Sequence, residues 1–450
     1  MAVTDIPHPG LYTDLYQLTM CQGYYKTGLH RKKANFDYFF RHAPFDGEYL
    51  IFAGLDDLVS ILDTFRFSPD ECKWLEQQGF DAEFCKYLQQ YRFDADIISV
   101  REGEVVFSGE PVLTVSGPLL SCQLIETLLL NVLNFQSLIA TKASRLRQAA
   151  GSRKLVDFGL RRGQGAGSVS ASRAAYIGGV DATSNVMAGY RFGIPTSGTM
   201  AHSWIQCFDT ELEAFRTYAE LYPDKSILLV DTYNSLESGI PNAITVAREL
   251  ESRGHRLIGI RLDSGDPAEM APKARKMLDD AGFTEVAIAV SDQLDEPRIS
   301  ALVQANAPVD LFGVGTRLIT GHPDGALSGV YKMSELDGRP TMKYTDQSSK
   351  QSLPGRKELM RYKDDSGSFK HDLIYLRNQA ELPDGGEHFR YTVMDAGHPC
   401  NLETNLDAIA RYSTSRMKLL SDSVKRLHDP ACYRVVKDES ISSLIDELKS

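Results

Sequence analysis

The sequence predicts an α/β protein whose main domain is a barrel of parallel strands with helices outside. From Leu155 onward, short β-branched runs alternate with helical segments, which is typical of a parallel sheet. Polar residues follow several of these strands, and the carboxyl ends of barrel strands converge on one mouth, where active sites lie. The 450 residues, 42% hydrophobic and 24% charged, are enough for about two or three domains with large cores.

The first part of the chain has a mixed pattern. Phe36–Phe40 and Leu50–Ala53 are predicted strands, and Leu55–Leu62 is a predicted helix. Val105–Phe107 and Val112–Val115 flank a Gly-Glu-Pro turn, so we expect them to pair as a hairpin.

A long helix leads into the barrel. Ser121 is the expected cap of an apolar helix that breaks near Asn134 and ends by Ala150. The predicted barrel strands are Lys154–Asp157, Ile227–Asp231, Leu257–Asp263, Val286–Ser291 and Val309–Gly313.

The clearest barrel helix follows Asp266. Pro267 suits a first helical turn, and Glu269 lies three residues after Asp266, as in a capping box. Gly282 is predicted to end this helix, and Pro272, which lies past the first turn, is expected to kink it.

Beyond the barrel, turn signals separate short strands, a basic loop spans Leu353–Lys357, and Thr404–Ser450 is predicted to be largely helical. The turn signals are Asp337-Gly338, Asp365-Ser-Gly367 and Asp384-Gly-Gly386. We therefore expect a mixed N-terminal domain, a catalytic barrel and a C-terminal region that partly packs on the first domain. Their expected bounds are 1–120, 121–332 and 333–450.

Charge and composition exclude several classes. Lys and Arg number 49 and Asp and Glu 60, a net charge of −11, which argues against a nucleic acid or an anionic membrane as partner. The seven cysteines include no C-x-x-C pair, so the reducing cytoplasm is the expected compartment. The start at Met1 lacks the apolar segment of a signal peptide, and no apolar run of about 18 residues predicts a membrane span.

The most informative stretch is Leu155–Gly167. Its strand ends at Asp157 and is followed by Arg161 and Arg162 among four glycines. Glycine lets a backbone approach a ligand, and the arginine fork binds phosphate. Ser168 is expected to begin a helix, whose N-terminal amides attract anions. The stretch predicts anion binding; the alternative is a pair of surface arginines in salt bridges.

A second small-residue loop contains Thr199 and His202. A histidine in such a loop can act as base, acid or nucleophile, or serve the structure alone. A nearby carboxylate would orient its ring, but the sequence leaves that carboxylate unidentified.

Three further strand ends carry candidate residues. Arg261 and Asp263 alternate along a strand, so they share a face at the barrel mouth. The Gly-rich segment Phe312–Leu318 is similar to phosphate loops found late in barrels, or is a tight turn. Asp231 can hold a ribose hydroxyl or a hydrated Mg²⁺, and the same turn alternative applies to it.

Together these segments resemble the nicotinate phosphoribosyltransferase family, and they occur in that family's order over most of the chain. The matching segments are Leu11–Met20, Asp157–Arg162, Thr183–Gly189, Gly198–Ser203, Ile260–Gly265 and Phe312–Thr316.

The resemblance implies an incomplete α/β barrel of the type II phosphoribosyltransferase kind, with an N-terminal mixed α+β domain and a C-terminal extension. It implies a homodimer whose active sites borrow residues across the interface. The implied reaction joins nicotinate to 5-phosphoribosyl 1-diphosphate, giving nicotinate mononucleotide and diphosphate in NAD salvage. ATP as co-substrate is coupled through a phosphohistidine, and Mg²⁺ is the expected cofactor.

The resemblance also assigns residue roles. His202 is the implied phosphohistidine, and Asp263 is the second predicted catalytic residue. The predicted nicotinate-binding residues are Tyr16, Thr199 and Arg261, and the predicted phosphate-binding residues are Arg161, Gly315 and Thr316. Asn185 is a further predicted substrate-binding residue, and Asp231 is the expected metal contact through water.

Alternatives remain at this stage. A nicotinamide enzyme would favour an aspartate near position 185, where this chain has Asn185. A barrel that binds a phosphorylated metabolite without catalysis is a second alternative. A sugar-phosphate aldolase is disfavoured, because no lysine stands at a predicted strand end.

Overall fold

The computed structural model describes residues 6–343, 352–379 and 383–450. The prediction about a signal peptide concerns the start of the chain, and residues 1–5 lie outside the described part. The chain forms two compact units, one of Met1–Thr141 with Asp324–Ser450 and one of Lys142–Pro323. These bounds differ from the expected 120/121 and 332/333 divisions, because the C-terminal residues return to pair with the first strand.

The strands in chain order are β1 (Lys33–Phe40), β2 (Leu50–Ile51), β3 (Asp96–Val100), β4 (Val105–Val106), β5 (Leu113–Pro118), β6 (Lys154–Asp157), β7 (Ala182–Thr183), β8 (Ile227–Leu229), β9 (Gly259–Leu262), β10 (Ala287–Val290), β11 (Leu311–Val314), β12 (Gly329–Leu336), β13 (Arg339–Pro340), β14 (Lys357–Lys363), β15 (Phe369–Leu376), β16 (Glu387–His388), β17 (Arg390–Asp395), β18 (His398–Pro399) and β19 (Val435–Lys437).

The helices are α1 (Leu15–Lys26), α2 (Leu55–Asp63), α3 (Pro69–Gln77), α4 (Ala82–Gln90), α5 (Leu119–Leu124), α6 (Glu126–Ala150), α7 (Gly165–Ile177), α8 (Val186–Phe192), α9 (His202–Gln206), α10 (Glu211–Leu221), α11 (Ile240–Ser252), α12 (Pro267–Asp280), α13 (Glu296–Gln304), α14 (Thr316–Ile319), α15 (Leu406–Leu419), α16 (Asp422–Lys425) and α17 (Glu439–Lys449). In the described part of the chain, no helix is long and apolar enough to cross a membrane.

The first unit is built on a seven-stranded sheet in the order β13-β12-β1-β5-β3-β17-β18. The central strand β1 is buried almost throughout, and Phe36, Tyr38 and Phe40 belong to the unit's hydrophobic core. Antiparallel pairing of β12 with β1 joins residues that precede the second unit with residues that follow it in this one sheet.

The predicted hairpin in this unit is wrong. β4 pairs with β2 in a separate two-stranded sheet, whereas β5 pairs with β1 and β3. The chain between β4 and β5 passes from one sheet to the other. Just before β5, the Val112 amide already donates to the Tyr38 carbonyl of β1 at 3.0 Å. The hydrophobic pattern of both strands is satisfied by either arrangement, so it could not distinguish them.

The predicted cap and break of the long helix are also wrong. Ser121 lies inside α5 and donates from Oγ to the Asp94 carboxylate, and the interruption falls at Ile125. Asn134 continues α6 without a break, because its side chain accepts a hydrogen bond from the Tyr38 hydroxyl at 2.9 Å.

The predicted basic loop has a structural use. Lys357 is 4% exposed and donates to the carbonyls of Leu353 at 2.8 Å and Gly355 at 2.6 Å. It also pairs with Asp37 at 2.8 Å, and burial lowers the pKa of its ammonium. The lysine therefore holds the loop onto β1 of the same unit.

The second unit is an incomplete parallel barrel, as predicted. Its six strands follow the order β7-β6-β11-β10-β9-β8, and every neighbouring pair is parallel. The last strand, β11, pairs with the first, β6, so the sheet curves round and its open edges are β7 and β8. Sequence analysis missed β7, which is two residues long and too short for a periodic signal.

Helix α12 has the predicted N-terminal cap and continues through its internal proline. The Asp266 carboxylate accepts from the Ala268 amide at 3.0 Å, which caps the helix as predicted. The helix continues through Pro272 to Asp280. The Ala268 carbonyl has no helical hydrogen bond, because Pro272 has no N–H to donate. Both residues are exposed, so water can hydrogen-bond to this carbonyl instead.

Candidate functional site

A cavity of about 740 Å³ opens at the carboxyl ends of the barrel strands in the second unit. This size suits a small-molecule site. Of the residues predicted from sequence, those that line it are Arg161, Arg162, Thr199, Arg261, Asp263, Gly315 and Thr316.

Arg261 is the most constrained side chain in this cavity. Its Nε donates to Ser291 Oγ at 2.8 Å, Nη1 to Thr199 Oγ1 at 2.9 Å, and Nη2 to Asp263 Oδ1 at 2.7 Å. A guanidinium has five N–H donors, so two remain after these three contacts. Its Cζ also lies 5.3 Å from the centre of the Phe158 ring. The arginine is thus held rigidly with donors left for an anion.

Asp263 connects the cation to the strand ends. Its Oδ1 accepts from Arg261 and from Ser291 Oγ. Its backbone amide donates to Asp231 Oδ2 at 2.8 Å, and Ser264 Oγ donates to the same oxygen at 2.7 Å. The predicted pairing of Arg261 and Asp263 on one face is therefore present, and each partly neutralises the other.

His202 begins the short helix α9 and is 41% exposed. Its Nδ1 lies 3.0 Å from Thr232 Oγ1, and its Nε2 lies 3.9 Å from Asp263 Oδ2. Asp263 is thus the carboxylate that the sequence could not identify. The ring is held at one nitrogen by a hydroxyl, while the other nitrogen faces a carboxylate.

The arginine loop lies at the end of β6. Arg161 and Arg162 lie in the short 3₁₀ turn Leu160–Arg162, line the cavity and are exposed. Within the described ranges, neither guanidinium forms a hydrogen bond or an ion pair, although the Arg162 backbone amide donates to the Gly159 carbonyl at 2.7 Å. The following helix α7 begins at Gly165 rather than at the predicted Ser168. Two exposed guanidinium groups therefore line the cavity without a partner among the residues that the structure describes.

The second glycine-rich segment ends β11 and leads into α14 at Thr316. A Cβ on Gly313 would lie 2.3 Å from the Phe158 ring, so this glycine lets the aromatic side chain pack against the strand. Gly315 has no such conflict, since a Cβ there would lie 3.4 Å from its nearest neighbour, the Phe158 carbonyl oxygen. Backbone and ring are thus in close contact beside Arg261.

Two predicted substrate residues do not line this cavity. Asn185 is fully buried, caps α8 by accepting from the Ala188 amide at 3.2 Å, and donates to Ser172 Oγ at 3.1 Å. Its neighbour Ser184 lines the cavity instead. Tyr16 lies on α1 of the first unit and is 49% exposed. Substrate contact by Asn185 and Tyr16 stays a prediction.

Sequence reasoning missed several lining residues. Ser291, which bridges Arg261 and Asp263, was noted only as a polar strand end. Phe158, Arg317 and His322 also line the cavity, and Arg317 contacts His322. The Gly-Thr-Arg sequence after a short strand could have indicated Arg317 as a lining residue. His322 lies in a loop without a recognisable motif, so nothing in the sequence indicated it.

Asp231 is the best candidate contact for a divalent cation. Its Oδ1 is buried and accepts no hydrogen bond from the described residues, whereas Oδ2 accepts from the Asp263 amide and from Ser264 Oγ. No group of three or more potential metal-ligating side chains occurs in the described part of the chain. This arrangement fits Mg²⁺, which usually keeps several waters and takes one or two carboxylates besides substrate phosphates.

Comparison with protein families gives two matches that together cover most of the chain. Residues 11–134 match the nicotinate phosphoribosyltransferase N-terminal domain, and residues 153–375 match the nicotinate phosphoribosyltransferase family. The second match contains every predicted site residue except Tyr16, which falls within the first.

Curated relatives agree with the family match. A nicotinate phosphoribosyltransferase of Bacillus subtilis (strain 168) is 41% identical, with 98% of this chain and 96% of the relative covered. A nicotinate phosphoribosyltransferase of Homo sapiens is 34% identical, with 97% and 96% covered.

Solved structures support the fold. The crystal structure of human nicotinic acid phosphoribosyltransferase superposes with a TM-score of 0.88 at 31% identity, covering 97% of this chain and 99% of that one. A nicotinate-nucleotide pyrophosphorylase from Pyrococcus furiosus shares the fold with a TM-score of 0.75 at 23% identity, covering 93% and 98%. With the incomplete barrel and its arginine-lined mouth, these matches show that the chain belongs to the nicotinate phosphoribosyltransferase family.

Proposed function

We propose that this protein transfers phosphoribosyl from 5-phosphoribosyl 1-diphosphate to nicotinate, giving nicotinate mononucleotide and diphosphate in NAD salvage. The observation that carries this proposal is the fixed guanidinium of Arg261, which keeps two N–H donors at the mouth of a cavity that Arg161 and Arg162 also line. Paired donors of this kind suit a carboxylate. The names of the full-length relatives support nicotinate over nicotinamide as the base.

The residues divide the work between base and phosphates. Arg261, steadied by Thr199 and Ser291, binds the nicotinate carboxylate. Arg161 and Arg162 bind the phosphate groups, aided by the backbone at Gly315 and Thr316. Cleavage of the bond between ribose C1 and diphosphate leaves a highly charged leaving group, so cations without protein partners lower the barrier as that charge develops.

Mg²⁺ fits this site through Asp231 and water. When bound, it supplies positive charge that stabilises diphosphate as a leaving group. Asp231 contributes by holding the Asp263 amide and Ser264, which keeps the end of β9 in place.

ATP coupling through His202 is part of this proposal. The support is geometric, because Nδ1 is held by Thr232 while Nε2 faces Asp263 at 3.9 Å. A neutral imidazole held in this way can accept a phosphoryl group. The negative charge that it gains lies beside Asp263 and Arg261, so phosphorylation alters the electrostatics of the base-binding residues.

The proposed assembly is a homodimer in the cytoplasm. All seven cysteines are unpaired, which fits a reducing compartment. Exposed apolar side chains on α8, including Val186 at 73% and Tyr190 at 86%, suit burial against a second copy. Sedimentation equilibrium measures the oligomeric state; a protein that remains monomeric at micromolar concentration contradicts the dimer.

One assay tests the activity directly. The purified protein is incubated with 5-phosphoribosyl 1-diphosphate and either nicotinate or nicotinamide, with and without ATP and Mg²⁺, and mononucleotide is quantified. Formation of nicotinate mononucleotide supports the proposal, and a faster rate with ATP supports the coupling. Equal turnover of both bases rejects the preference for nicotinate, and no turnover of either favours a barrel that only binds a phosphorylated metabolite.

A further inference from the structure

A buried carboxylate joins three segments at the rim of the cavity. Asp157 ends β6 and is 1% exposed. Its Oδ1 accepts from the Gly159 amide at 2.7 Å, and its Oδ2 accepts from Ser172 Oγ and Thr183 Oγ1, both at 2.7 Å. Its backbone carbonyl accepts from the Ser184 amide at 2.8 Å. The loop after β6, helix α7 and the end of β7 are therefore tied to one side chain.

These tied segments carry residues that line the cavity. Gly159 directly precedes the turn Leu160–Arg162, and Ser184 is itself a lining residue. We propose that Asp157 is a positioning residue, whose carboxylate holds this turn where Arg161 and Arg162 face the cavity and so sets the affinity for phosphate groups. This inference rests on the proposed function.

The close packing of the turn supports this role independently. A Cβ on Gly159 would lie 2.9 Å from Asp157 Oδ1 and 2.7 Å from Ile319 Cβ. The backbone at Gly159 is thus pressed between a carboxylate and an aliphatic side chain. A change at either neighbour must move the turn, because the glycine has no space to absorb it.

The chemistry of the three donors explains why a carboxylate stands at this position. A carboxylate only accepts, and here a backbone N–H and two hydroxyls donate to it. In the described part of the chain, no Lys, Arg or His nitrogen lies within ion-pair distance of Asp157. Hydrogen bonds from neutral groups therefore stabilise the buried charge, and losing one of them leaves it under-solvated.

An asparagine at this position would reverse part of the network. Its amide nitrogen would have to donate to Ser172 and Thr183, whose hydroxyl protons would need new acceptors. Ser172 can turn to the Ser168 carbonyl at 3.1 Å, whereas Thr183 Oγ1 donates to Asp157 alone among its described contacts and otherwise accepts, from the Asn185 amide at 3.0 Å. Asp157→Asn should therefore loosen the turn while keeping the shape of the side chain.

The test compares Asp157→Asn with Asp310→Asn. Asp310 is a matched control, because its carboxylate accepts from the Ile288 amide at 2.8 Å and it directly precedes β11, far along the strands from their carboxyl ends. The dissociation constant of inorganic diphosphate is measured by calorimetry, and KM for both substrates and Tm are measured for each variant.

Asp157→Asn is expected to raise the diphosphate Kd and the KM for 5-phosphoribosyl 1-diphosphate by at least about tenfold, the equivalent of one charge-assisted hydrogen bond. The KM for nicotinate should rise by less than about threefold, and Asp310→Asn should behave as wild type. A folded Asp157→Asn with wild-type diphosphate affinity overturns the inference, as does an equal rise in both KM values, which a merely structural role would produce.

Two additions keep the test decisive. If Asp157→Asn does not fold, Ser172→Ala combined with Thr183→Val removes two donors while keeping the charge, and the same pattern is expected. If wild type binds diphosphate but does not consume nicotinate, the proposed function fails, whereas the ratio of diphosphate dissociation constants still tests the positioning role.

Discussion

At the scale of single residues, the cavity depends on Arg261 being held by three hydrogen bonds while it retains two donors. Arg261→Ala should raise the KM for nicotinate by about tenfold or more, because a lost charge-assisted hydrogen bond costs roughly 1.5–3 kcal/mol. Steady-state kinetics with nicotinate as the varied substrate measure this. Ser291→Ala, which keeps the charge and removes one positioning contact, should give a smaller rise; an unchanged KM in both variants contradicts the assignment.

His202 offers a prediction about covalent chemistry. With ATP, the wild-type protein should carry an acid-labile, base-stable phosphate, as expected for a phosphohistidine. His202→Ala and His202→Asn should abolish labelling while a slower transfer without ATP remains. Radiolabelled ATP and acid quenching provide the measurement, and wild-type labelling of either variant means that another residue is the acceptor.

Arg161 tests the difference between charge and geometry. The exposed fork has no protein partner in the described part of the chain, so it is free to bind phosphate in a bidentate manner. Arg161→Lys should keep the charge but still raise the KM for 5-phosphoribosyl 1-diphosphate several-fold. Lys154→Arg, at the opposite end of β6, is a control that should leave this KM unchanged.

At the scale of elements, contact between neighbouring strands shapes the cavity around Arg261. Gly313 of β11 lies so close to the Phe158 ring that an added Cβ would come within 2.3 Å of it. Gly313→Ala should displace the ring from Arg261, raise the KM for nicotinate and reduce stability by about 1–3 kcal/mol. Kinetics and urea unfolding measure the two effects.

A matched glycine gives the control for that change. A Cβ on Gly23 of helix α1 would meet nothing within 4 Å, so Gly23→Ala should be neutral or slightly stabilising. Equal destabilisation by the two substitutions would show that contact with Phe158 is not the cause.

At the scale of the whole molecule, pH should act on stability through a buried carboxyl of the first unit. Glu110 is fully buried, and its Oε2 accepts from the Phe107 amide at 2.9 Å. Burial raises the pKa of this carboxyl well above its usual range, and the charge of Asp372 raises it further.

The direction of the pH effect follows from this raised pKa. The unfolded chain ionises Glu110 near pH 4.5, whereas the folded chain keeps it neutral to higher pH. Its contribution to stability is therefore complete below about pH 4.5 and is lost as pH rises through the folded pKa. Glu110→Gln should raise Tm relative to wild type, and by more at pH 8 than at pH 5.

Calorimetry at several pH values checks this prediction. The exposed Glu447→Gln in α17 is the matched control and should leave Tm almost unchanged at every pH. A Tm difference for Glu110→Gln that does not grow with pH contradicts a neutral carboxyl at this position.

Local sequence signals determined much of the second unit. The β-branched runs placed five of its strands, and the position of polar residues at strand ends placed Arg261 and Asp263 at the cavity and Asp231 in contact with the Asp263 amide. These predictions succeeded because the two-residue period of a strand involves only neighbouring residues, and because the strands of a parallel barrel bring their carboxyl ends to one mouth. The cap at Asp266 held for the same reason, since it involves only neighbouring residues.

Other features were decided only by tertiary structure. The pairing of β4 with β2, the course of α6 through Asn134 and the bridge that Ser291 makes from Arg261 to Asp263 each depend on a partner about 30 to 100 residues distant. The sequence by itself thus determined the barrel, its mouth and the arginine, histidine and aspartate residues that are candidates for binding phosphate and carboxylate. Tertiary structure decided which carboxylate faces His202 and which carboxylate, Asp157, holds the arginine loop, because hydrogen bonds between distant segments leave no periodic signal in the chain.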